Sequence, residues 1–433
     1  MLLAFVLPAC GDGGTAPALP PSAPPTGVAV GPLASAAAQV TWTDATDNEA
    51  SFVLQTSPDD VVWSDAGTAN ANATSGVVYG LSPGVLTHIR VVAVNVKGSA
   101  ASTSVTHTSA VPAWSPLAAG PAPLFYTASA FDPGRRRMYV FGGQDDFLTS
   151  YNTLHVLTLD GTPAWFTITP ANAPPSARFA SSLIYDPLRD RLILFGGQIG
   201  TAAIAELWEF RITTLQWFPL TASGIPPSPR HHHSAIYDAG RARMVVFGGE
   251  NGSLYAQDSV ALSLPDAGAI GWTTISVTGS APKPRTRHSA VYDDTGRRMI
   301  IFGGIDGNTG DGSFLAQDTW SLDLQPSLVS TWTEITAAGP PGFREGHTAV
   351  WDSMNRQMVV FGGFDDSTIA NAEVWTLSLE NAGTWALLTP VSAAGDRAYG
   401  AAIFDPVLVR MTFFGGVYDD TLVPLTDTFA LDL

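Results

Sequence analysis

The chain has 433 residues, of which 45% are hydrophobic and only 14% are charged, and its formal net charge is −17. Because so acidic a surface repels phosphate backbones, nucleic acid is not an expected partner, and no apolar run reaches the roughly 20 residues of a membrane-spanning helix. Cys10 is the single cysteine, which excludes an intrachain disulfide and a cysteine-based zinc or iron–sulfur centre. The 42 glycines and 32 prolines favour an all-β protein with many turns.

Residues 1–10, MLLAFVLPAC, place an apolar run and a small residue directly before Cys10. This pattern resembles the lipobox of bacterial lipoproteins, with Leu7 and Ala9 at the matching positions. Pro8 departs from the pattern, and the basic region of a secretion signal is missing. The resemblance implies a lipid anchor and an extracytoplasmic location in the cell envelope, at the outer membrane or the cell surface. The alternative is a plain or truncated N-terminus.

Residues 11–23 are rich in Pro, Gly and Ala, cannot bury a core, and are expected to form a tether. From residue 24 to 111, short alternating apolar runs are separated by Asp, Asn, Gly and Ser turns, which predicts a β-sandwich. The strand order resembles a fibronectin type III domain, an immunoglobulin-like fold, with Trp42 at the position of the family's core tryptophan. Thr87 stands where that family has its corner tyrosine, so we expect the corner hydrogen bond to be absent or replaced.

After Ala113, one pattern recurs six times: an aromatic residue followed by Asp, and a Gly-Gly pair that begins ten residues after the Asp. An acid or amide then begins an alternating strand, and in five units a Trp opens a further short strand. Four strands per unit of about 50 residues resemble kelch repeats. The resemblance covers residues 114–433 and implies a six-bladed β-propeller, in which blades stack to share their cores.

Within each repeat, the Asp is expected to start the tight turn between strands a and b by accepting backbone N–H groups. Five copies carry an Arg five residues before the first Gly, and its expected role is to brace this hairpin against the Asp. These arginines are Arg137, Arg191, Arg243, Arg298 and Arg410, with Gln357 in the remaining copy.

Three consecutive histidines, His231, His232 and His233, precede the third aromatic–Asp pair. His233 occupies a repeat position that is also His in two other copies, His288 and His347, which predicts a structural role at the start of strand a. The alternative is a metal site built on His231 and His233, because strand alternation sends these two side chains to one face and His232 to the other.

The segment after each Gly pair varies in length, and variable loops on a constant scaffold often carry binding residues. In kelch propellers these b–c loops share a face with the d–a segments, so the resemblance implies a binding face that mixes carboxylates and guanidinium groups. Such a face suits sugars or peptide segments, and ordinary solvated loops are the alternative. The predicted residues are Asp145, Asp146, Glu250, Asn251, Asp306, Asp365, Asp366, Asp419 and Asp420 with Arg178, Arg230, Arg287 and Arg344.

The longest of these loops places Asp306, Asn308 and Asp311 among glycines. These oxygen ligands suit Ca²⁺, but the remaining ligands of a known calcium loop are missing, so a flexible Gly-rich loop is the preferred interpretation. We predict no metal site, no cofactor and a monomeric protein.

The main functional hypothesis is a cell-envelope module that binds a protein or a glycan, and a purely structural spacer is a lesser alternative. Copper-radical oxidases of the galactose oxidase type share a kelch-like propeller, but they need a Tyr–Cys crosslink, and Cys10 in the leader is the only thiol. A carbohydrate-acting enzyme similar to the sialate mutarotases stays open, because acid and base side chains would suffice. A buried cluster of unpaired carboxylates with Arg or His favours the enzyme, whereas a filled apolar channel with a charged rim favours binding.

The last repeat ends at Leu433 with three strands, whereas WSPL at Trp114 precedes the first repeat and has no blade of its own. An open ring exposes unpaired sheet edges, which closure removes. We therefore predict that the Trp114 segment pairs beside DTFALDL and completes the sixth blade from both ends of the repeat region.

Overall fold

The computed structural model describes residues 19–252, 254–266, 268–306, 315–325, 329–365, 370–379, 383–419 and 421–433. These residues form strands, turns and bends, which confirms the all-β class, and none of their segments is a helix suited to crossing a membrane. The chain divides into two compact units between Val111 and Pro112. The features predicted at Cys10, Asn308, Asp311, Asp366 and Asp420 lie outside the described residues, as do residues 1–18.

The first unit consists of two antiparallel sheets. One contains Thr26–Ala34, Ala37–Thr43 and Ser75–Tyr79; the other contains Ser64–Asn70, Ser51–Ser57, Leu86–Asn95 and Gly98–Ala101, with Val105–Thr108 also pairing with Leu86–Asn95. Their alternating apolar residues share one core, in which Trp42 packs against Phe52 with ring centroids 5.2 Å apart. Trp42 thus lies in a core as expected, and the assignment to fibronectin type III stays a prediction.

The described residues of the second unit form six antiparallel four-stranded sheets, which we call blades 1 to 6, each with strands a to d from the centre outward. Blade 1 consists of Ala128–Asp132, Arg137–Phe141, Leu154–Thr158 and Ala164–Ile168; blade 2 of Ser182–Asp186, Arg191–Phe195, Leu207–Arg211 and Gln216–Pro219; and blade 3 of Ser234–Asp238, Arg243–Phe247, Ser259–Ser263 and Gly271–Thr274. Blade 4 consists of Ser289–Asp293, Arg298–Phe302, Thr319–Asp323 and Ser330–Glu334; blade 5 of Thr348–Asp352, Gln357–Phe361, Val374–Ser378 and Thr384–Leu388; and blade 6 of Ala401–Asp405, Arg410–Phe414, Thr428–Asp432 and Ala113–Pro116. Two short strands extend blades 3 and 4 at their outer edges, Ser223–Gly224 and Val277–Thr278 respectively. The described loops also contain three pairs of short strands: Gln198–Ile199 with Ala202–Ala203, Glu250–Asn251 with Leu254–Tyr255, and Arg285–Thr286 with Ile305–Asp306.

The blades stack through an aromatic contact that repeats around the ring. The Phe that ends strand b of each blade packs against a Trp of strand d in the next blade, with ring centroids 4.7 to 5.1 Å apart. The six pairs are Phe141–Trp217, Phe195–Trp272, Phe247–Trp332, Phe302–Trp385, Phe361–Trp114 and Phe414–Trp165. Each strand a also contacts strand a of the next blade, including the first with the sixth, so the ring is closed.

Ring closure follows the prediction made for Trp114. Ala113–Pro116 pairs antiparallel with Thr428–Asp432, and Trp114 stands opposite Leu431. Trp114 is buried, and its ring contacts Phe361 of blade 5 as well as Phe429 of its own blade. Blade 6 is therefore assembled from both ends of the repeat region, as predicted.

The Gly-Gly pairs are required by backbone conformation and by close contact between blades. Both glycines have positive φ in all six pairs. The N–H of the second glycine donates to a carbonyl of the next blade, as from Gly143 to Arg178 at 3.0 Å and, across the closure, from Gly416 to Leu124 at 2.9 Å. A Cβ on the first glycine would meet the same backbone, for example 2.6 Å from the Arg285 oxygen at Gly248, so any larger residue is excluded.

The bracing role predicted for the arginines of strand b is confirmed in blades 2, 3 and 4. Arg191, Arg243 and Arg298 bind Asp186, Asp238 and Asp293 at 2.7 to 2.8 Å. In blade 5, Gln357 donates to Asp352. The assignment is wrong at the ring closure: Arg135 rather than Arg137 binds Asp132, and Arg136 rather than Arg410 binds Asp405, while Arg410 pairs with Asp432.

Candidate functional site at the central channel

A closed ring of backbone hydrogen bonds surrounds one end of the central channel. The residue six positions before each repeat Asp has positive φ in every blade, and its N–H donates to the carbonyl of the same residue in the preceding blade at 2.7 to 3.1 Å. We call these six residues the axial ring: Tyr126, Ala180, His232, Arg287, Gly346 and Tyr399. Five are not glycine, and such strained conformations, at about 1–3 kcal/mol each, persist where the surrounding structure holds them and cluster at functional sites.

The side chains of the axial ring converge on the axis. Tyr126 packs against Tyr399 with ring centroids 4.3 Å apart and against His232 at 4.6 Å. The Arg287 guanidinium lies 5.8 Å from the centre of the Tyr399 ring. Burial raises the pKa of Tyr126 to about 12. Aromatic faces and hydrogen-bonding groups thus meet at one point on the axis.

Two carboxylates complete this group. Tyr399 donates its hydroxyl hydrogen to Glu345 Oε1 at 2.7 Å, and Arg287 Nη1 lies 3.3 Å from both that oxygen and the Tyr399 hydroxyl. Arg287 Nε lies 3.7 Å from Glu250 Oε1. Burial raises the pKa of Glu345, and its Oε2 has no hydrogen-bond partner among the described residues. Arg287 therefore links two carboxylates that come from different blades.

His231 and His232 stand beside Glu250. The Nδ1 atoms of the two histidines are 2.7 Å apart, and His232 Nδ1 is 3.1 Å from Glu250 Oε1. Burial lowers the pKa of both histidines, that of His232 to about 4. Burial alone would raise the pKa of Glu250, but the hydrogen bond with His232 and the charge of Arg287 lower it. We call Tyr126, His231, His232, Glu250, Arg287, Glu345 and Tyr399 the axial cluster.

The alternative, a metal site built on His231 and His233 on one face of the strand, is wrong, because His232 has φ of 51° and breaks the strand alternation. His233 instead bonds Ser182 of the preceding blade through Nε2 at 2.8 Å and packs against Phe195. The equivalent contacts are Ser234–His288 with Phe247, and Ser289–His347 with Phe302. The structural role predicted for this repeat position is confirmed.

The channel has a polar end and an apolar end. Behind the axial ring lies a cavity of about 170 Å³ lined by Thr127, Ser181, His233, His288 and His347. The other end, beside the a–b turns, has a cavity of about 490 Å³ lined by strand a residues such as Ile184, Ile236 and Val350. Polar ligands are therefore expected at the end that carries the axial cluster.

Arg178, Arg230 and Arg344 are not on an exposed face, contrary to the prediction. They are at most 3% exposed. Each donates to the acid directly before strand c and to the carbonyl of the first repeat glycine, as Arg285 also does. A buried guanidinium requires such partners. These residues hold the b–c loop to the blade rather than present charge to solvent.

The other predicted residues divide between loop structure and surface. Asp145 accepts N–H groups from Phe147 and Thr149 of its own loop, Asp419 accepts from Thr421, and Asp306 is buried beside Lys283. Asp146 and Asn251 are exposed, and Asp365 is half-buried.

Arg287 and Glu250 are the predicted residues that reach the axial cluster. The prediction missed Tyr126, Glu345 and Tyr399 as well as the joint placement of His231 and His232. A sequence signal was present, because the position six before the repeat Asp varies in chemistry, whereas the position two residues before it is Arg in five of the six copies. Variation at one position of a regular repeat is typical of a site built on a common scaffold.

Comparison with known proteins supports the repeat architecture. The model of the Attractin/LZTR1 beta-propeller family matches residues 138–363, just over half of the chain. The chain belongs to this family. The match runs from strand b of blade 1 to the Gly pair of blade 5, so the Attractin/LZTR1-type propeller and the repeats coincide.

Relatives of this Attractin/LZTR1-type propeller include proteins from animals. The chain is 27% identical over 292 residues to the leucine-zipper-like transcriptional regulator 1 homolog of Drosophila melanogaster, covering 54% of this chain and 29% of that protein. It is 26% identical over 213 residues to the Rab9 effector protein with kelch motifs of Xenopus laevis, covering 47% and 54%. The chain thus spans about a third to half of these relatives.

Solved structures show the same fold. The structure of YjhT has a TM-score of 0.56 and 15% identity, and the match covers 72% of this chain and 95% of that chain. A protein from Bacteroides thetaiotaomicron VPI-5482 has a TM-score of 0.51 and 11% identity, with 95% of this chain and 99% of that chain covered. Together with the family match, these likenesses confirm the kelch-type β-propeller predicted from the repeats.

Proposed function

We propose that this six-repeat kelch propeller is a cell-envelope binding module that takes a glycan at the axial cluster. The observation that carries the proposal is the convergence of Tyr126, Arg287, Glu345 and Tyr399 on the axis, where the side chain of Arg287 is still 28% exposed. Sugar hydroxyls donate to carboxylates and accept from guanidinium and phenol groups, while the apolar face of a sugar packs on aromatic rings. The family's kelch propellers support a binding role. The narrow polar end of the central channel favours a glycan over a protein as the ligand.

Replacing Arg287 by Gln is expected to weaken glycan binding at least tenfold, or about 1.4 kcal/mol. The variant loses the cation that donates toward the axis. Binding is measured on a glycan array with the full chain and then by calorimetry on the glycans retained, with the melting temperature recorded in parallel.

The matched control is Arg356→Gln, which removes the same charge from an exposed a–b turn of blade 5. It should bind glycans as the parent chain does. Unchanged affinity in Arg287→Gln would reject the axial site, and binding of an envelope protein but of no glycan would reject the ligand class.

A carbohydrate-acting enzyme, similar to a sialate mutarotase, is the second candidate. It is favoured by the buried Glu345, whose raised pKa and hydrogen bond from Tyr399 suit proton transfer. The two candidates separate in Glu345→Gln: an enzyme loses turnover of the bound sugar, whereas a binding module has no turnover to lose.

The proposed location rests on the lipobox-like sequence before Cys10, and the tether and a fibronectin type III-like domain would separate the propeller from the lipid. In the native host, the chain is expected to incorporate palmitate and to partition into detergent, and Cys10→Ala is expected to do neither. Absence of label on the parent chain would reject the anchor and leave the glycan site untouched.

A further inference from the structure

Blade 3 differs from the other blades at three positions that the fold places together. His231 and Glu250 form a cross-strand pair, with backbone hydrogen bonds of 3.0 Å in both directions, and His232 follows in the axial ring. The corresponding residues of blade 2 are Phe179, Gln198 and Ala180. The repeat therefore needs none of the three ionisable side chains to form its backbone, and blade 3 carries all of them.

The three side chains point atoms that can bind a metal ion at one another. His231 Nδ1 and His232 Nδ1 are 2.7 Å apart, and they lie 3.7 and 3.1 Å from Glu250 Oε1. Tetrahedral Zn²⁺ with ligands at about 2.0–2.2 Å separates neighbouring ligand atoms by about 3.3 Å. The three observed separations, from 2.7 to 3.7 Å, bracket this value.

The surroundings favour a cation at this triangle. Both imidazoles are buried, and a neutral imidazole has one ring nitrogen with a free lone pair. Among the described residues, His232 makes its polar contacts through Nδ1, toward His231 and Glu250. If the two Nδ1 atoms and the Glu250 oxygen share a single proton, two of these atoms still face each other as acceptors without a hydrogen between them. A single cation, in contrast, interacts favourably with all three atoms.

Arg287 is the charged group that opposes a cation here, since its Nε lies 3.7 Å from Glu250 Oε1. Its Nη1 also pairs with Glu345 at 3.3 Å. With neutral histidines, the two carboxylates and one guanidinium leave this group with a net charge of −1 (−2 + 1). The local charge therefore still attracts a divalent ion.

We propose that His231 Nδ1, His232 Nδ1 and Glu250 form a three-ligand site for a divalent transition-metal ion, with Zn²⁺ as the best fit. Two imidazoles and one carboxylate are a ligand set that zinc accepts with a fourth position left to water or a bound molecule. The metal site lies within the axial cluster, next to the side chains proposed to contact the glycan, but metal binding does not depend on a glycan.

The test uses the full chain, stripped with chelator and titrated with Zn²⁺ by calorimetry, with bound metal counted by elemental analysis. We expect one equivalent of Zn²⁺, a visible spectrum of four-coordinate Co²⁺ after substitution, and a melting temperature that rises with Zn²⁺. Because no glycan is present, the outcome is independent of the proposed function.

The variants His231→Phe, His232→Ala and Glu250→Gln each introduce the residue that blade 2 has at that position, so the propeller is expected to fold. Each should weaken Zn²⁺ binding by more than about 100-fold, beyond the loss from removing an outer-shell partner, and abolish the zinc-dependent rise in melting temperature. The control His88→Gln alters a histidine that lies 3.7 Å from Asp60 in the first unit and should retain one equivalent. A parent chain that binds no Zn²⁺, or variants that bind it as tightly as the parent, would overturn the proposal.

Discussion

Replacing Trp114 by Ala is expected to destabilise the whole propeller by about 3–5 kcal/mol, the range for truncating a buried large aromatic. Trp114 is 5% exposed and provides the sixth of the Phe–Trp contacts between blades, against Phe361. Its strand also covers the edge of Thr428–Asp432. The change therefore creates a cavity at the one place where the ring is joined by strands from its two ends.

The loss is measured as the shift of the propeller's urea transition, with hydrogen exchange read blade by blade. Cooperative unfolding predicts faster exchange in all six blades. The control Phe166→Ala, on strand d of blade 1 with 57% of its residue surface exposed, should shift stability by no more than about 0.5 kcal/mol. Fraying confined to blade 6, with an unchanged transition midpoint, would show that closure is not what makes the ring cooperative.

Replacing Arg285 by Leu is expected to cost about 2–3 kcal/mol, because it leaves a charge and a carbonyl without their partner. The Arg285 side chain is fully buried and binds both oxygens of Asp318 at 2.7 and 2.9 Å and the Gly303 carbonyl at 3.0 Å. Blade 1 has Leu124 and Thr153 at these two positions. The double variant Arg285→Leu with Asp318→Thr reproduces that pair and should recover part of the loss.

A double-mutant cycle from urea transitions measures this coupling. Arg211→Leu is the comparison, because that Arg is 53% exposed although it also binds a carboxylate, Glu209. Exposed pairs contribute about 0–1 kcal/mol, so its effect should be small. If Arg285→Leu and Arg211→Leu lower the free energy of unfolding equally, the buried arginines do not stabilise the blades. These arginines would then again be candidate binding residues.

The burial of Arg178, Arg230 and Arg344 explains why the charge of a side chain was a poor guide to the binding face. Arg230 and Arg287 both precede a repeat Asp and both have carboxylate neighbours. Arg230 lies eight residues before its Asp and points into the blade, whereas Arg287 lies six before and belongs to the axial ring. A two-residue offset decides whether the guanidinium holds the scaffold or faces the channel, and composition does not report it.

The sequence by itself determined the β-propeller, because local features specify it: the ten-residue interval from Asp to Gly, the positive-φ glycines and the alternating strands. It also determined the ring closure, since counting strands leaves Trp114 without a blade and the last blade without a strand. The structural role of His233 followed from its repeat position in the same way.

The axial cluster was decided only by the tertiary structure. Tyr399 and Arg287 are 112 residues apart and belong to different blades, and their hydroxyl and guanidinium meet at 3.3 Å because the ring closes. His232 meets His231 because its backbone is left-handed, which strand alternation does not predict. Local periodicity specifies which residues form each blade, whereas convergence on the axis depends on the rotation of all six blades about it, and that rotation is a property of the closed ring.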